Sequence, residues 1–595
     1  MDQAKSSSYP SKSIAVLPFV NMSPDPENEY FSDGITEEII NALTGVVGLK
    51  VIARTSSFAF KGKNIDVRTI GSQLGVQSIL EGSVRKSKNR VRITAQLIDT
   101  KTGLHLWSKN FDRELDDIFA TQDEISLLIA DQVRENFGHF DIKDKLFESH
   151  TQNVTAYNTF LKGRFHQLKW NNDSYHLAIK FYKEAILLDP RYPMPHIGLV
   201  QCYTYLFLWR AISKSEAREK TDFHLNAIKN IHPNLAEYHL AQSSRSIILD
   251  WDLKKAHQEL NKTLELSPAN TDALEALAGL YIVIGQFDAG IKSIDKALEV
   301  NPLSANHSFM KGNLLYYKKD YNEAIKWMDI ALKLEPNMLL AQQVKMAALL
   351  QSKKQNDLAN LINKNQEHPF AKNFETLQNL MAGKSDISVP EGDFENEFLP
   401  WELYFSIYKD ESDLAFLLLK NGLKNQIGQY FCFRHDPFLK PLKKDSRFQI
   451  IEKSYPDFSL QLHETKEIQA PTEVPKMESR EIEEYLLELA RLMEGEKCYL
   501  DPTLSLKSLS EKIDLHSNKL SWLINEQLGK NFNEYINSFR LESFKSKALD
   551  EKNSHLTLLG LAYESGFNSK TVFNAFFKKT EGKTPREWMR EKLKT

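Results

Sequence analysis

Six prolines, Pro190, Pro233, Pro268, Pro302, Pro336 and Pro369, stand 43, 35, 34, 34 and 33 residues apart. A period this regular means one small unit built repeatedly, each burying its apolar face against its neighbours. The strings AILLDP, TLELSP, ALEVNP and ALKLEP repeat one helix ending before the proline. In the unit ending at Pro302, Leu274, Leu277, Ala278, Tyr281, Gly290 and Ala297 alternate large and small residues; Gly312, Ala324, Ala331 and Pro336 follow at matching offsets. Small residues let paired helices approach, and large ones fill the gap between units. Five or more units make a continuous core.

A period near 34 with a proline after the second helix resembles the tetratricopeptide repeat, which implies two helices per unit and a superhelix with a concave face. The unit ending at Pro233 carries about nine extra residues, expected as a longer loop over residues 210–219. Tyr203, Tyr205, Phe207 and Trp209 cluster beside it. Two roles stay open for them, packing between repeats or a groove for a small-molecule or protein ligand.

Residues 13–137 read as mixed α/β. The apolar run from Ile14 to Phe19 suits a buried strand. Ser32 or Asp33 is placed to cap a helix over 35–43. Strands are expected over 79–85 and 91–98 around the polar turn Lys86–Asn89, then a helix over 118–133. The stretches SIAVLPFVNMSPDPENEYFSDGITEEI, LEGSVRKSKNRVRITAQLIDTKTGLHLW and DIFATQDEI resemble the N-terminal domain of TolB-like and FlgO-like proteins. That domain accompanies cyclase domains, winged helices or tetratricopeptide repeats in bacterial signalling proteins. The resemblance implies an α/β module without a known chemistry.

Beyond residue 478 the pattern is helical throughout. Ile482, Leu486, Leu489 and Met493 share one helix face. Leu506, Leu509 and Ile513 form a short apolar face, Asp514-Leu515-His516 a tight connection, and Leu520, Leu523, Ile524 and Leu528 the next helix, with Ser517 as its expected cap and Gly529 as its end. Two short helices across such a turn fit a helix-turn-helix. The plan recurs with Leu558, Leu561 and Ala562, the turn Ser565-Gly566-Phe567, a helix opened by Ser569, an end at Gly582 and Pro585 in a last helix. This tandem resembles the AraC-family DNA-binding domain. The string LAYESGFNSKTVFNAFFKKTEGKTPREW carries the resemblance through Gly566, Phe567, Phe573, Phe577, Lys578, Gly582, Thr584 and Pro585. It departs from the family pattern at Asp514, where a turn glycine is usual, and at Trp588-Met589-Arg590. Asp tolerates the left-handed backbone better than most residues.

In such motifs the second helix enters the major groove, and its N-terminal residues reach base edges. Candidates by position are Ser517, Asn518, Lys519, Ser521 and Trp522 in the first motif. In the second they are Asn568, Ser569, Lys570, Thr571 and Asn574, with Ser569 a cap first. Asn suits adenine, Lys guanine and the Thr methyl thymine. Lys578, Lys579, Lys583 and Arg586 are phosphate candidates. Residues 569–595 hold eight basic and three acidic residues, whereas the chain carries a net charge of −3. The basic surface is therefore local.

The expected organisation is multidomain and mostly α: a polar tail over 1–12, an α/β domain over 13–137, an α-solenoid over 150–370, a degenerate helical extension over 371–462, a linker over 463–478 and an all-α double helix-turn-helix over 479–595. Cys202, Cys432 and Cys498 lie far apart, against a disulfide framework or zinc finger. No run approaches the ~20 apolar residues of a membrane span. A cytoplasmic protein without cofactor or metal is expected. Walker, HExxH, GxSxG and dinucleotide motifs are absent, so the chain is expected not to be an enzyme. The leading expectation is a transcription regulator whose partner is double-stranded DNA, with a homodimer as candidate state. The alternative is a repeat scaffold with minor or no DNA binding.

Overall fold

The structure is a computed structural model that describes residues 12–146, 149–169, 171–384, 387–390, 397–455 and 477–593. The expected polar tail, apart from residue 12, and nearly all of the expected linker lie outside the described residues. The chain divides into two compact units, Met1–Ser149 with Glu467–Thr595, and His150–Lys466.

The first unit joins an α/β part to a helical part. Its sheet runs β3 (Lys50–Val51), β1 (Ser13–Val16), β4 (Ser78–Ser87), β5 (Arg90–Asp99), β6 (His105–Glu114), with β2 (Val20–Asn21) also on β4. β1 is parallel to β3 and β4, and β4 to β6 form an antiparallel meander. Alternation sets the faces of β5. Val91, Ile93, Ala95 and Leu97 are fully buried, while Arg90 and Arg92 reach across to Asp112 of β6 at 2.8 and 2.6 Å. The tight β4–β5 turn uses Lys88 at φ +51°. β6 lies outside the strands expected from the sequence. The long helices α1 (Glu29–Thr44) and α2 (Ile118–Phe137) pack beside the sheet, with the short helices Arg54–Phe58 and Val67–Leu74 against β1 and β4. The α1 cap differs from expectation: Asn28 precedes the helix, and Ser32 and Asp33 lie buried inside it. The 3-10 turn Pro26–Asn28 feeds the chain into the helix a turn early.

The helical part contains α3 (Ser479–Ala490), α4 (Leu506–Lys512), α5 (Ser517–Leu528), α6 (Phe532–Leu549), α7 (Leu558–Glu564), α8 (Lys570–Glu581) and α9 (Pro585–Lys592). Asp514 takes φ +52° in the α4–α5 turn. Gly529 and Gly582 end α5 and α8 in the left-handed conformation. Thr584 and Glu587 form a capping box around Pro585 at the start of α9. Leu489, Met493, Leu506, Leu509, Leu520, Leu523 and Ile524 share one core. Phe544, Phe567, Phe573, Phe577 and Trp588 share another through ring contacts of 4.7–5.9 Å.

The second unit is an array of helix pairs. Fully buried alanines Ala297, Ala324 and Ala331 stand where helices approach. Tyr182, also fully buried, is wedged between two glycine-bearing helices. A Cβ on Gly163 would lie 2.6 Å from its ring, and one on Gly198 would overlap the ring's other edge. The extra residues before Pro233 lengthen both helices as well as the loop between them: the connection 209–213 is longer than 285–286, and Pro193–Leu208 and Lys214–Ile231 have 16 and 18 residues, against 14 and 14 for Thr271–Ile284 and Phe287–Val300. Ser213 caps the second of them. Among the clustered aromatics, Tyr203 is buried and stacks on His224 at 6.2 Å, whereas the more exposed Trp209 rests on Tyr175 at 4.8 Å. Residues 426–438 lie across several repeats. Gln426 donates to the Asp250 carbonyl at 3.3 Å, Phe431 packs on Trp251 at 4.4 Å, His435 meets Phe287 at 5.4 Å, and the Tyr404 hydroxyl donates to buried Asp436 at 2.5 Å.

Gly198→Val is expected to destabilise the repeat unit by about 2–3 kcal/mol through overpacking against Tyr182. Urea-denaturation midpoints of the full chain check this, and an unchanged midpoint would mean that the ring has room to move.

Candidate nucleic-acid interface

The side chains expected to meet bases cluster at the starts of α5 and α8, and the two clusters have different surroundings. On α8, Ser569 accepts from the N–H groups of Thr571 (3.2 Å) and Val572 (3.5 Å) and so caps the helix. Lys570, Thr571 and Asn574 are exposed. Asn568, also exposed, donates to the Pro502 carbonyl at 3.5 Å. Lys578 and Arg586 are exposed, Lys579 pairs with Glu534 at 2.6 Å, and Lys583 pairs with Glu591. The start of α8 therefore carries a polar face with one lysine, Lys570, on an aromatic core, and the further basic residues Lys578 and Lys579 lie in its last turn.

On α5 the helix cap is His516, which accepts from Asn518 N–H at 3.2 Å. Ser517, the expected cap, instead bonds Ser510 across the turn at 2.8 Å. Lys519 pairs with Glu481 of α3 at 3.2 Å. Ser521 is buried, and the half-buried Trp522 packs on the motif's apolar core. Asn518 is held by the α/β part. Its side-chain oxygen accepts from the Arg134 guanidinium and from Ile142 N–H at 3.2 Å, and its amide donates to the Ile142 carbonyl at 3.1 Å.

Arg134, Glu135 and Arg540 are site residues that the sequence reading does not single out. Arg134 falls four residues after fully buried Ala130, so a charge interrupts the apolar face of α2. That spacing is the available signal. Arg134 pairs with Asp131 at 2.5 Å. Glu135 accepts from Leu506 N–H at 2.7 Å, and burial pushes its carboxyl up to about 7. Arg540, in the middle of α6, donates to the carbonyls of Tyr499 (2.8 Å) and Asp501 (2.7 Å). Burial lowers its guanidinium to about 10. Gly566 faces the same backbone at φ +93°, and a Cβ there would overlap the Tyr499 carbonyl. The arginine thus fastens the approach to the first motif onto the turn of the second.

Residues 509–591 match a family model described as a helix-turn-helix domain, of the AraC type, and residues 308–338 match a tetratricopeptide-repeat model. A 187-residue stretch is 45% identical to "Putative adenylate cyclase 3" of Rhizobium meliloti (strain 1021), covering 31% of this chain and 32% of that one. A 149-residue stretch is 26% identical to a BBSome complex member of Bos taurus, covering 25% and 26%. The chain thus spans a third or less of these curated relatives. A crystal structure of a thermophilic tetratricopeptide-repeat protein of Thermus thermophilus is 16% identical, with TM-score 0.28, over 33% of this chain and 99% of that one. The C-terminal region therefore carries an AraC-type helix-turn-helix domain, and the middle of the chain carries tetratricopeptide repeats. The cyclase-named relative overturns the expectation that the chain is not an enzyme. That expectation rested on absent motifs, and such absence tests only the motifs sought. Among the described residues no helix is long and apolar enough to cross a membrane.

Two outcomes are expected here. Because Glu135 is harder to ionise when buried, it contributes stability that is full below about 4.5 and declines as pH rises to about 7. Glu135→Gln is expected to remove this component, so its melting temperature should gain on wild type between pH 5 and 7.5. Parallel melting curves would refute it. Arg540→Met leaves two carbonyls without their donor and is expected to cost about 2–3 kcal/mol, read from chemical denaturation of the full chain. A loss below about 0.5 kcal/mol would assign Arg540 no fastening role.

Proposed function

We propose that the chain is a sequence-specific DNA-binding transcription regulator. In this reading the N-terminal α/β part and the repeats are sensor or partner-binding modules, and the tandem helix-turn-helix reads DNA. The exposed face of Asn568, Lys570, Thr571 and Asn574 at the start of α8 carries the proposal. It stands on a helix that the Phe544–Phe573–Phe577 cluster holds rigidly. Rigid placement matters because base discrimination needs paired donors and acceptors at fixed geometry. Lys578, Lys579 and Arg586 lie nearby for phosphate, which supplies affinity without sequence information. The linking helix α6, 18 residues long, spans roughly 27 Å, a length compatible with successive major grooves about 34 Å apart.

A second reading is a protein-interaction scaffold, favoured by the tetratricopeptide match over residues 308–338. Selecting bound duplexes from a genomic fragment pool with the full chain separates the two. Recovery of a recurrent sequence supports the regulator, and failure to enrich one at low ionic strength supports the scaffold. On a recovered site, Lys570→Ala is expected to cost ~1–3 kcal/mol and to relax specificity at one position. Lys579→Ala should weaken binding evenly and lower the salt slope by about 1. An unchanged salt slope would reject the phosphate role of Lys579.

A further inference from the structure

The two recognition positions are not equally available. At α8, Asn568, Lys570, Thr571 and Asn574 are exposed. At α5 a short stretch of the α/β part, residues 134–142, meets the first motif at several points. Arg134 and the Ile142 backbone take up the side chain of Asn518. Glu135 accepts from Leu506 at the start of α4. Asn531 and Asn533 at the start of α6 donate to the backbone and side-chain oxygens of Asn136 at 2.9 and 3.0 Å. Gly138, at φ +106°, lies so close that an added Cβ would stand 3.1 Å from the Asn525 amide.

The pattern at Asn518 is specific. An asparagine reads adenine by accepting from the base's N6 amine and donating to N7. Here it accepts from Ile142 N–H and donates to the Ile142 carbonyl, the same donor and acceptor order. We infer that residues 134–142 form a docking surface for the first recognition helix, with the Ile142 backbone standing in for a base edge, so that docking and base reading by α5 exclude each other. This rests on the DNA-binding reading above and adds a regulation to it. One asparagine side chain cannot satisfy both partners at once, and the 2.7 Å bond at Leu506 must also break for the motif to leave. While docked, the chain offers DNA only the second motif. Apparent affinity for a site that needs both motifs falls by the fraction of molecules undocked.

The test compares three full-length proteins on a random-sequence duplex pool: wild type, Arg134→Ala/Asn136→Ala, and that pair with Asn518→Ala added. The undocked pair is expected to bind about tenfold tighter or better, with a footprint lengthened by one groove segment. Adding Asn518→Ala should cancel most of the gain. Equal affinity and footprint for wild type and the pair would overturn the docking inference and leave the DNA reading standing. No binding by any of the three, with folded circular-dichroism spectra, would overturn both. Should the pair fail to fold, hydrogen exchange at the Ile142 amide of the wild type decides. Bound duplex should speed exchange about tenfold or more, and unchanged exchange with DNA bound overturns docking.

Discussion

Two ionisable side chains, adjacent in sequence and withdrawn from water, govern the first unit. Arg134 and Glu135 are 3% and 6% exposed at the end of α2, and a buried charge is costly unless partnered. Asp131 supplies part of the answer within the same helix. The rest comes from the other end of the chain, where Asn518 accepts from the arginine and Leu506 N–H donates to the glutamate. The start of a helix leaves N–H groups unsatisfied, so Glu135 answers a need of α4 while α4 answers a need of Glu135. The joint solves two problems of polar burial at once, which gives it a definite register.

That joint changes what a shared plan means. Both motifs have two short helices, a left-handed residue in the turn (Asp514, Gly566) and a glycine end (Gly529, Gly582). They are nonetheless held by different forces. The first motif has a largely aliphatic core and a polar seam against the α/β part. The second has interlocked aromatic rings and faces solvent at the start of α8. Arg540 connects them through backbone carbonyls, which do not depend on side-chain identity at Tyr499 and Asp501.

The repeat unit follows a different logic, in which neighbouring pairs bury each other and no single contact dominates. Glycines flank Tyr182, and alanines fill the close approaches. The chain's own residues 426–438 then cover part of the array, with Asp436 buried and pushed up to about 6 by that burial while it accepts from Tyr404.

The sequence by itself determined what depends on neighbours within a turn or a strand pair. It carried the 34-residue period, the alternation of β5, the glycine ends of α5 and α8, the Thr584–Pro585 start of α9 and the left-handed tolerance of Asp514. Apart from the period, which is legible because one unit recurs, these follow from backbone preference and hydrophobic spacing that act over a few residues. Local rules misjudged the start of α1 and the cap of α5 and gave the extra residues before Pro233 to a loop that takes only part of them, because flanking turns and packing shifted each boundary. Only the tertiary structure decided which of the two helix starts is exposed and which is held by the α/β part. Ile142 lies 376 residues from Asn518, and no periodicity or propensity reaches across such a separation. The pairing exists because both segments had polar groups left over once their own elements had formed.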